Sequence, residues 1–345
     1  MKKASMIGLL ALLILALVFP LLVDTTTTGI AVFTLLYATA VTGWNLFSGY
    51  TGYISLGYAS FTGIGAYTMA LICDHWQIPG DYRTFLLLPV GGLMAVIFAL
   101  PVGWISLRTR RVTFVVVTLA IMFILESLAF NLSGFTGGSS GIILPSSVWP
   151  GNFFNIPFYY VSLFLLVLAI AIAWWIRNSK YGLGLLAIRE DEDRARGLGV
   201  KTVEFKLVAF VISAFLGGMV GAMFTFYNGN VFPDAAFDIN IDVSVALMAF
   251  LGGIGTLTGP ILGTFLLEPL QQYLTIQYGA VSLNLMILGA LLLIIIMVLP
   301  DGIVTSAWKA WRRRAALRGT ASPISSSVPE EETGVLLESS GGESG

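Results

Sequence analysis

Charge is what this sequence has least of. Asp, Glu, Lys and Arg together make up 11% of its 345 residues, against about 25% in a soluble domain. Charges that sparse cannot solvate a globular surface of this size, so most of the outer surface must face lipid. Cysteine occurs once, at Cys73, which excludes an intramolecular disulfide. Histidine occurs once, at His75, which argues against a histidine metal centre. One Cys and one His also leave no nucleophile–base set for a membrane-embedded enzyme. The P-loop pattern G-x-x-x-x-G-K-[ST] is missing, so ATP is not bound in that way.

What is abundant is hydrocarbon: 57% of the residues are hydrophobic, and the mean hydropathy is +0.88. A helix needs about 20 apolar residues to cross a bilayer. Runs of that kind predict spans over 4–23, 29–48, 56–73, 85–106, 112–131, 158–176, 207–228, 242–256, 259–277 and 281–299. The runs are continuous rather than alternating, which favours helices over barrel strands. The stretches 56–73, 242–256 and 259–277 are short or broken by Gly and Pro, so eight crossings with re-entrant pieces is the alternative to ten. Lys2 and Lys3 before the first run would suit a signal peptide. No small-x-small cleavage site follows, and the run reads as an uncleaved helix.

Positive charge tests this map. With the N-terminus in the cytoplasm and sides alternating, the inner segments hold Lys2 and Lys3, then Arg108, Arg110 and Arg111, then the basic residues from Arg177 to Lys206, then those from Lys309 to Arg318. Of the 18 Lys and Arg residues, only Arg83 falls outside. The positive-inside rule therefore places both termini in the cytoplasm. It also requires an odd number of crossings between Gly229 and Asp301, taken as three. The expected architecture is an all-α integral membrane protein, a polytopic bundle in the cell membrane. A transmembrane domain fills 1–319, and a Ser-, Gly- and Glu-rich tail over 320–345 reads as disordered.

The substantial polar stretch within the membrane region is 177–206. Leu185 to Arg196 predicts a short helix, with Glu190–Arg194 and Glu192–Arg196 as i,i+4 pairs and Gly197 and Gly199 to end it. So short a helix is marginal alone. Leu185, Leu186, Ile188 and Leu198 give it apolar surface to bury, which reads as a docking helix rather than a solvated connector.

Glycine supplies the other pattern. Gly255, Gly259 and Gly263 recur at four-residue spacing on an expected helix face, as do Gly217 and Gly221. Small residues of this kind let helix backbones approach closely in lipid. The glycine-dense, interrupted segments 49–67 and 252–263 sit in the two halves of the chain. Paired broken segments point to a pathway in transporters with internal repeats. Ser55, Gly57, Gly63, Gly65, Gly252, Gly253, Gly255 and Gly259 are therefore candidates for a translocation path or its gate, with helix packing as the competing use. Glu126 and Glu268 are the acids expected deep in spans, where an acid is a functional candidate by default.

Four stretches, in order, carry a resemblance. Arg189-Glu190-Asp191-Glu192, Ala195, Gly197-Leu-Gly199-Val200 and Phe205-Lys206-Leu207-x-Ala209-Phe210 resemble the cytoplasmic loop of LivM-type permeases, membrane subunits of branched-chain amino acid ABC importers. The run from Gly49 to Tyr67, the run from Gly252 to Gly263, and Thr136-Gly137-Gly138-Ser139-x-Gly141 are similar to that family's other glycine-rich segments. The departure is Tyr58, where the family usually has His; Glu192-Asp193-Arg194-Ala195 in place of a clean Glu-Ala-Ala is usual for this branch. The resemblance spans about residues 30 to 300. It implies a type II importer-like fold with a suspected internal repeat. It implies that Arg189, Glu190, Asp191, Glu192, Arg194, Ala195, Gly197 and Gly199 dock on an ABC ATPase subunit. ATP would be bound by those partners, with no cofactor on this chain. A LivH-type second permease would complete a heterodimer, and an extracytoplasmic substrate-binding protein would deliver the substrate. The outer loop Leu132 to Pro157, with its Trp149, Phe153 and Phe154, suits a contact surface for that protein and equally suits anchoring of the aromatics at the membrane interface. No nucleic acid is implied. Urea or short amides are the alternative substrates within the same subfamily, and an ion-coupled secondary transporter is the alternative of another class.

Overall fold

The computed structural model describes residues 15–145, 149–151, 153–278 and 289–290. Residues 15–22 are helical. Residues 4–14 of the expected 4–23 span, the 281–299 span apart from 289–290, and the 320–345 tail lie outside the described residues.

Ten helices carry the argument. Helix α1, Thr25–Trp44, starts where the Asp24 side chain accepts the Thr27 N–H, and it runs on into a π-helical turn, Asn45–Gly49. After it come α2 (Ala59–His75), α3 (Leu88–Ser106, entered through a 3-10 stretch Tyr82–Leu87) and α4 (Arg111–Asn131). Helix α5 is Asn155–Arg177, followed by the short α6 (Lys180–Glu190) and α7 (Glu192–Gly197). The last three are α8 (Thr202–Asn228), α9 (Ile239–Gly252) and α10 (Gly259–Tyr278). Among the described residues, six helical stretches are long and apolar enough to cross a bilayer: Thr25–Gly49, Tyr82–Ser106, Arg111–Asn131, Asn155–Arg177, Thr202–Asn228 and Pro233–Gly252. The chain is an all-α polytopic membrane protein. Helix α2 replaces the expected 56–73 span, but its 17 residues reach only about 26 Å, short of the roughly 30 Å hydrocarbon core. Irregular chain, 52–57, precedes it.

Burial separates an inner set of helices from an outer one. The apolar windows of α1 and α8 are 78% and 67% buried, against 28% and 22% for the α3 and α4 stretches. Helix α8 runs through the bundle, packed on α3, α2 and α1, while α5, α9 and α10 pack on the remaining sides of α1. Glycine sets the closeness. A Cβ at Gly65 would overlap the Gly218 backbone, and one at Gly221 would overlap the Thr62 carbonyl. Apolar side chains such as Ile97, Ile105, Val112 and Val116 stand exposed on α3 and α4, as a lipid-facing surface requires.

The described residues of the loop 132–157 are better packed than its composition predicts. Ile142–Ile143 pairs antiparallel with Asn230–Val231, tying it to the chain beyond α8. Trp149 and Phe154, expected on an outer contact surface, turn inward. Trp149 stacks on Phe85 at 5.8 Å between ring centroids, and Phe154 packs 4.9 Å from Phe158. Of the three aromatics, Phe153 remains exposed. Aromatic rings this large recover more from mutual burial than from water.

Candidate functional site

The basic end of the bundle is held by side chains bonded to backbone. Asn45, which opens the π turn, donates to the Thr256 carbonyl at 2.9 Å and accepts the Gly255 N–H at 2.7 Å. The Gly49 carbonyl accepts from Arg189 Nη1 at 2.8 Å. Arg177 Nη1 donates to the Gly255 carbonyl at 2.7 Å. Arg111 Nη2 donates to the Ile188 and Arg189 carbonyls at 3.1 and 2.7 Å. Each guanidinium fastens a carbonyl of a distant segment, a task suited to its rigid fork of donors.

The single helix expected over Leu185 to Arg196 is in fact two. Asp191 leaves the helical region (φ −155°, ψ 110°), and its Oδ1 caps α7 by accepting the Arg194 N–H at 3.0 Å. Asp is a strong N-cap and competes with helix continuation, which is why the chain breaks there. The break separates Glu190 from Arg194. Arg194 pairs with Asp191 at 2.9 Å instead, while the Glu192–Arg196 pair forms at 3.4 Å. Leu185 and Ile188 are buried as expected. Leu198 is 84% exposed, standing between Gly197 and Gly199 with open space at both glycines. Gly199 takes φ +87°, a conformation that glycine alone adopts freely.

Glu192 points inward. Its Oε1 accepts from Lys206 Nζ at 2.7 Å, and its Oε2 accepts the Tyr53 hydroxyl. Lys206, only 1% exposed, also donates to the Leu107 carbonyl at 3.1 Å and lies 4.1 Å from the Tyr53 ring centroid. Burial pushes the Glu192 pKa up, but hydrogen bonds from Lys206 and Tyr53 outweigh it and hold the carboxyl below its ordinary value. A cavity of about 550 Å³ separates α7 from the α3–α4 turn, with Tyr53, Arg111 and Asp191 among its walls.

Above this clasp the chain is irregular from Gly52 (φ +73°) to Gly57. Backbone without regular structure at this depth must be bonded by something. Trp44 Nε1 donates to the Ser55 carbonyl at 2.8 Å, Ser48 Oγ accepts the Ser55 N–H at 3.2 Å, and Thr118 Oγ1 accepts the Leu56 N–H at 3.3 Å. Helix α2 then begins against Asp242, whose Oδ1 accepts the Ala59 N–H at 3.0 Å. An acid on α9 thus caps a helix that starts inside the bundle. Asp242 is fully buried. Sequence reasoning passed it over because it stands at the first position of the expected 242–256 span, where an acid reads as a boundary. Glu268 is buried and accepts from Gln272 at 2.8 Å. Glu126 is only half-buried, on the outer helix α4. The deep acids are therefore Asp242 and Glu268, not Glu126 and Glu268.

A second cavity, about 280 Å³, lies toward the other end among α1, α2, α8 and the 230–241 segment. Irregular backbone inside the bundle and glycine-ridged helix packing are features of membrane transporters, and the sequence places the chain among them. A family described as branched-chain amino acid transport system / permease component matches residues 26–296. The chain belongs to this permease family. It is 31% identical over 322 residues to the high-affinity branched-chain amino acid transport system permease protein LivM of Escherichia coli (strain K12), covering 86% of this chain and 74% of that protein. It is 26% identical over 284 residues to LivH of the same organism, covering 78% and 91%. No solved structure matches it.

The permease does not use the eight candidate path residues to line either cavity in this conformation. Ser55 sits in the irregular segment. A Cβ would meet the Thr118 carbonyl at Gly57, the Phe237 ring at Gly63 and the Gly218 backbone at Gly65. Gly252 and Gly259 lie against each other, Gly253 takes φ +116°, and Gly255, at φ +79°, lies against the Arg189 guanidinium. Gly255 precedes α10, so the expected three-glycine helix face reduces to Gly259 and Gly263. Of the eight expected docking residues, Arg189, Glu192 and Ala195 turn into the bundle. Glu190, Arg194, Gly197 and Gly199 face outward, and Asp191 forms the break.

Proposed function

We propose that this chain is the LivM-type membrane subunit of an ABC importer for branched-chain amino acids, with 1–319 as its transmembrane domain and 320–345 as a disordered cytoplasmic tail. It pairs with a LivH-type permease, and ten crossings built from an internal repeat leave both termini in the cytoplasm. ABC ATPase subunits bind the nucleotide, and an extracytoplasmic binding protein delivers the substrate. The names of the relatives support the substrate and the paired permease.

The observation that carries the mechanism is the exposed Leu198 between two glycines, at the tip of a helix pair otherwise fastened into the bundle. In this reading Leu198, held out by two flexible glycines on a tip whose base is fastened, enters a cleft of the ATPase subunit. Glu190, Arg194, Gly197 and Gly199 surround the tip. Arg189, Glu192 and Ala195 carry its displacement inward, through Gly49, Gly255 and the Lys206 clasp, to the glycine-rich segments 49–67 and 252–263, which close the path. A Leu198→Cys variant should react with an impermeant maleimide from the cytoplasmic side, and reaction should slow when the ATPase subunits are bound. Reaction from the outside only, or equal rates with and without them, overturns the reading.

An ion-coupled carrier is the second reading, favoured by the buried acids Asp242 and Glu268. Leucine uptake that collapses with an ionophore at constant ATP, and survives deletion of the ATPase genes, would select it.

A further inference from the structure

The cavity of about 280 Å³ lies just below the roughly 300–1,000 Å³ over which small-molecule sites fall, so it admits only a compact ligand. Its walls are chemically divided. Phe33 and Tyr37 of α1, Phe224 of α8 and Phe232 offer aromatic faces. Asn228, Asn230 and Asp238 supply the polar side. No Lys or Arg is among the lining residues, so the Asp238 carboxylate stands as the lone charge there. Asp238 also caps α9, accepting the Asn240 N–H at 2.9 Å and the Asn240 amide at 2.8 Å, both through Oδ1.

One carboxylate beside aromatic faces attracts an ammonium group by charge and by the ring quadrupole. The same rings take up a hydrocarbon side chain, and the two asparagine amides donate to a carboxylate. A second negative charge on the ligand would find no cation. The floor is shut: Thr62 and Gly221 line the cavity, and Gly221 lies so close to the Thr62 carbonyl that no Cβ would fit. Helix α2 begins at Ala59, about one turn before Thr62.

We propose that this cavity is a transient binding site for an α-amino acid zwitterion with an aliphatic side chain, held at Asp238 and the aromatic walls before the path opens. This rests on the amino acid importer reading above, and it locates within this chain a selectivity otherwise left to the binding protein.

The test uses the full-length chain, copurified with its partner subunits in lipid nanodiscs without binding protein. The native Cys73 is buried, so an Ala235→Cys substitution at the exposed rim of the cavity gives a selective thiol. Leucine at millimolar concentration should slow maleimide reaction at that thiol several-fold, and aspartate should not. Adding Asp238→Asn, which keeps the helix cap because Asn serves there as well as Asp, should raise the leucine concentration needed for half-protection about tenfold. Equal protection by aspartate, or an unchanged leucine requirement in the Asn variant, overturns the proposal. So does an absence of leucine protection. Leucine uptake is measured in parallel in intact cells that carry the wild-type chain with all its partner subunits and the binding protein. If it is ATP-driven while protection fails, the site is wrong and the importer reading stands. If no leucine uptake occurs, the importer reading falls, and the site falls with it.

Discussion

Removing either partner of the Lys206–Glu192 pair should destabilise the chain, and the two removals should not cost the same. Lys206 is 1% exposed and Glu192 16%. Glu192→Gln removes the counter-charge: the amide oxygen can still accept, but the buried Lys206 ammonium is left with neutral partners alone, that oxygen, the Leu107 carbonyl and the Tyr53 ring face. Stranding a buried charge costs about 3–5 kcal/mol. Lys206→Met removes the positive charge while keeping most of the volume. The carboxylate left behind is partly hydrated and retains Tyr53 and Arg196, so the loss is nearer that of one charged hydrogen bond, about 1.5–3 kcal/mol. The double variant should be less damaged than the sum of the singles, with a coupling of about 0.5–3 kcal/mol. Steric trapping of the purified chain in bicelles gives unfolding free energies on this scale, and amide exchange of α7 reports whether the local clasp opened. Additive singles, or a larger loss for Lys206→Met than for Glu192→Gln, would refute the buried-pair account.

Acid should open the same clasp. Because the folded pKa of Glu192 lies below the ordinary 4.5, the stability it contributes is complete above 4.5 and is lost as pH falls through the lower folded value; α7 exchange should accelerate over that interval, and Glu192→Gln should flatten the dependence. Gly255→Ala forces an L-residue into φ +79° against the Arg189 guanidinium, at about 1–3 kcal/mol of strain; folded yield by fluorescence-detected size exclusion should drop, and an unchanged yield would contradict the close approach. Asp242→Ala strands the Ala59 N–H at the buried start of α2, a loss of about 1–3 kcal/mol. Asp242→Asn keeps an acceptor and should retain most of the stability when the two variants are compared by thermal unfolding.

Much of the fold was legible because lipid writes plainly in sequence: continuous apolar runs place α1, α3, α4, α5 and α8 within a few residues of their observed bounds. What hydropathy could not show is where a helix gives way to chain held by side chains. The span expected at 56–73 begins instead at Ala59, because Ser48, Trp44 and Thr118 satisfy the backbone before it and Asp242 starts the helix. Those partners lie far off in sequence, and no local pattern announces them. The loop helix failed for the opposite reason. The i,i+4 pairs argued for continuity, but the capping power of Asp191 was the stronger local signal. Trp149 and Phe154 read as surface because loops are outside, yet an aromatic cluster several helices wide drew them in. The glycines were seen as special, and for Gly57, Gly63, Gly65, Gly252, Gly255 and Gly259 the structure gives the reason: another backbone, a ring, a hydroxyl or a guanidinium comes too near for a side chain.

Topology experiments commonly move arginines between loops to reverse the way a helix inserts. In this chain Arg111, Arg177 and Arg189 stitch together seams between segments far apart in sequence, so deleting any of them would loosen the fold before it questioned the orientation. Arg108 and Arg110 make no such stitch among the described residues, and they are the positions where charge can be relocated with the seams intact.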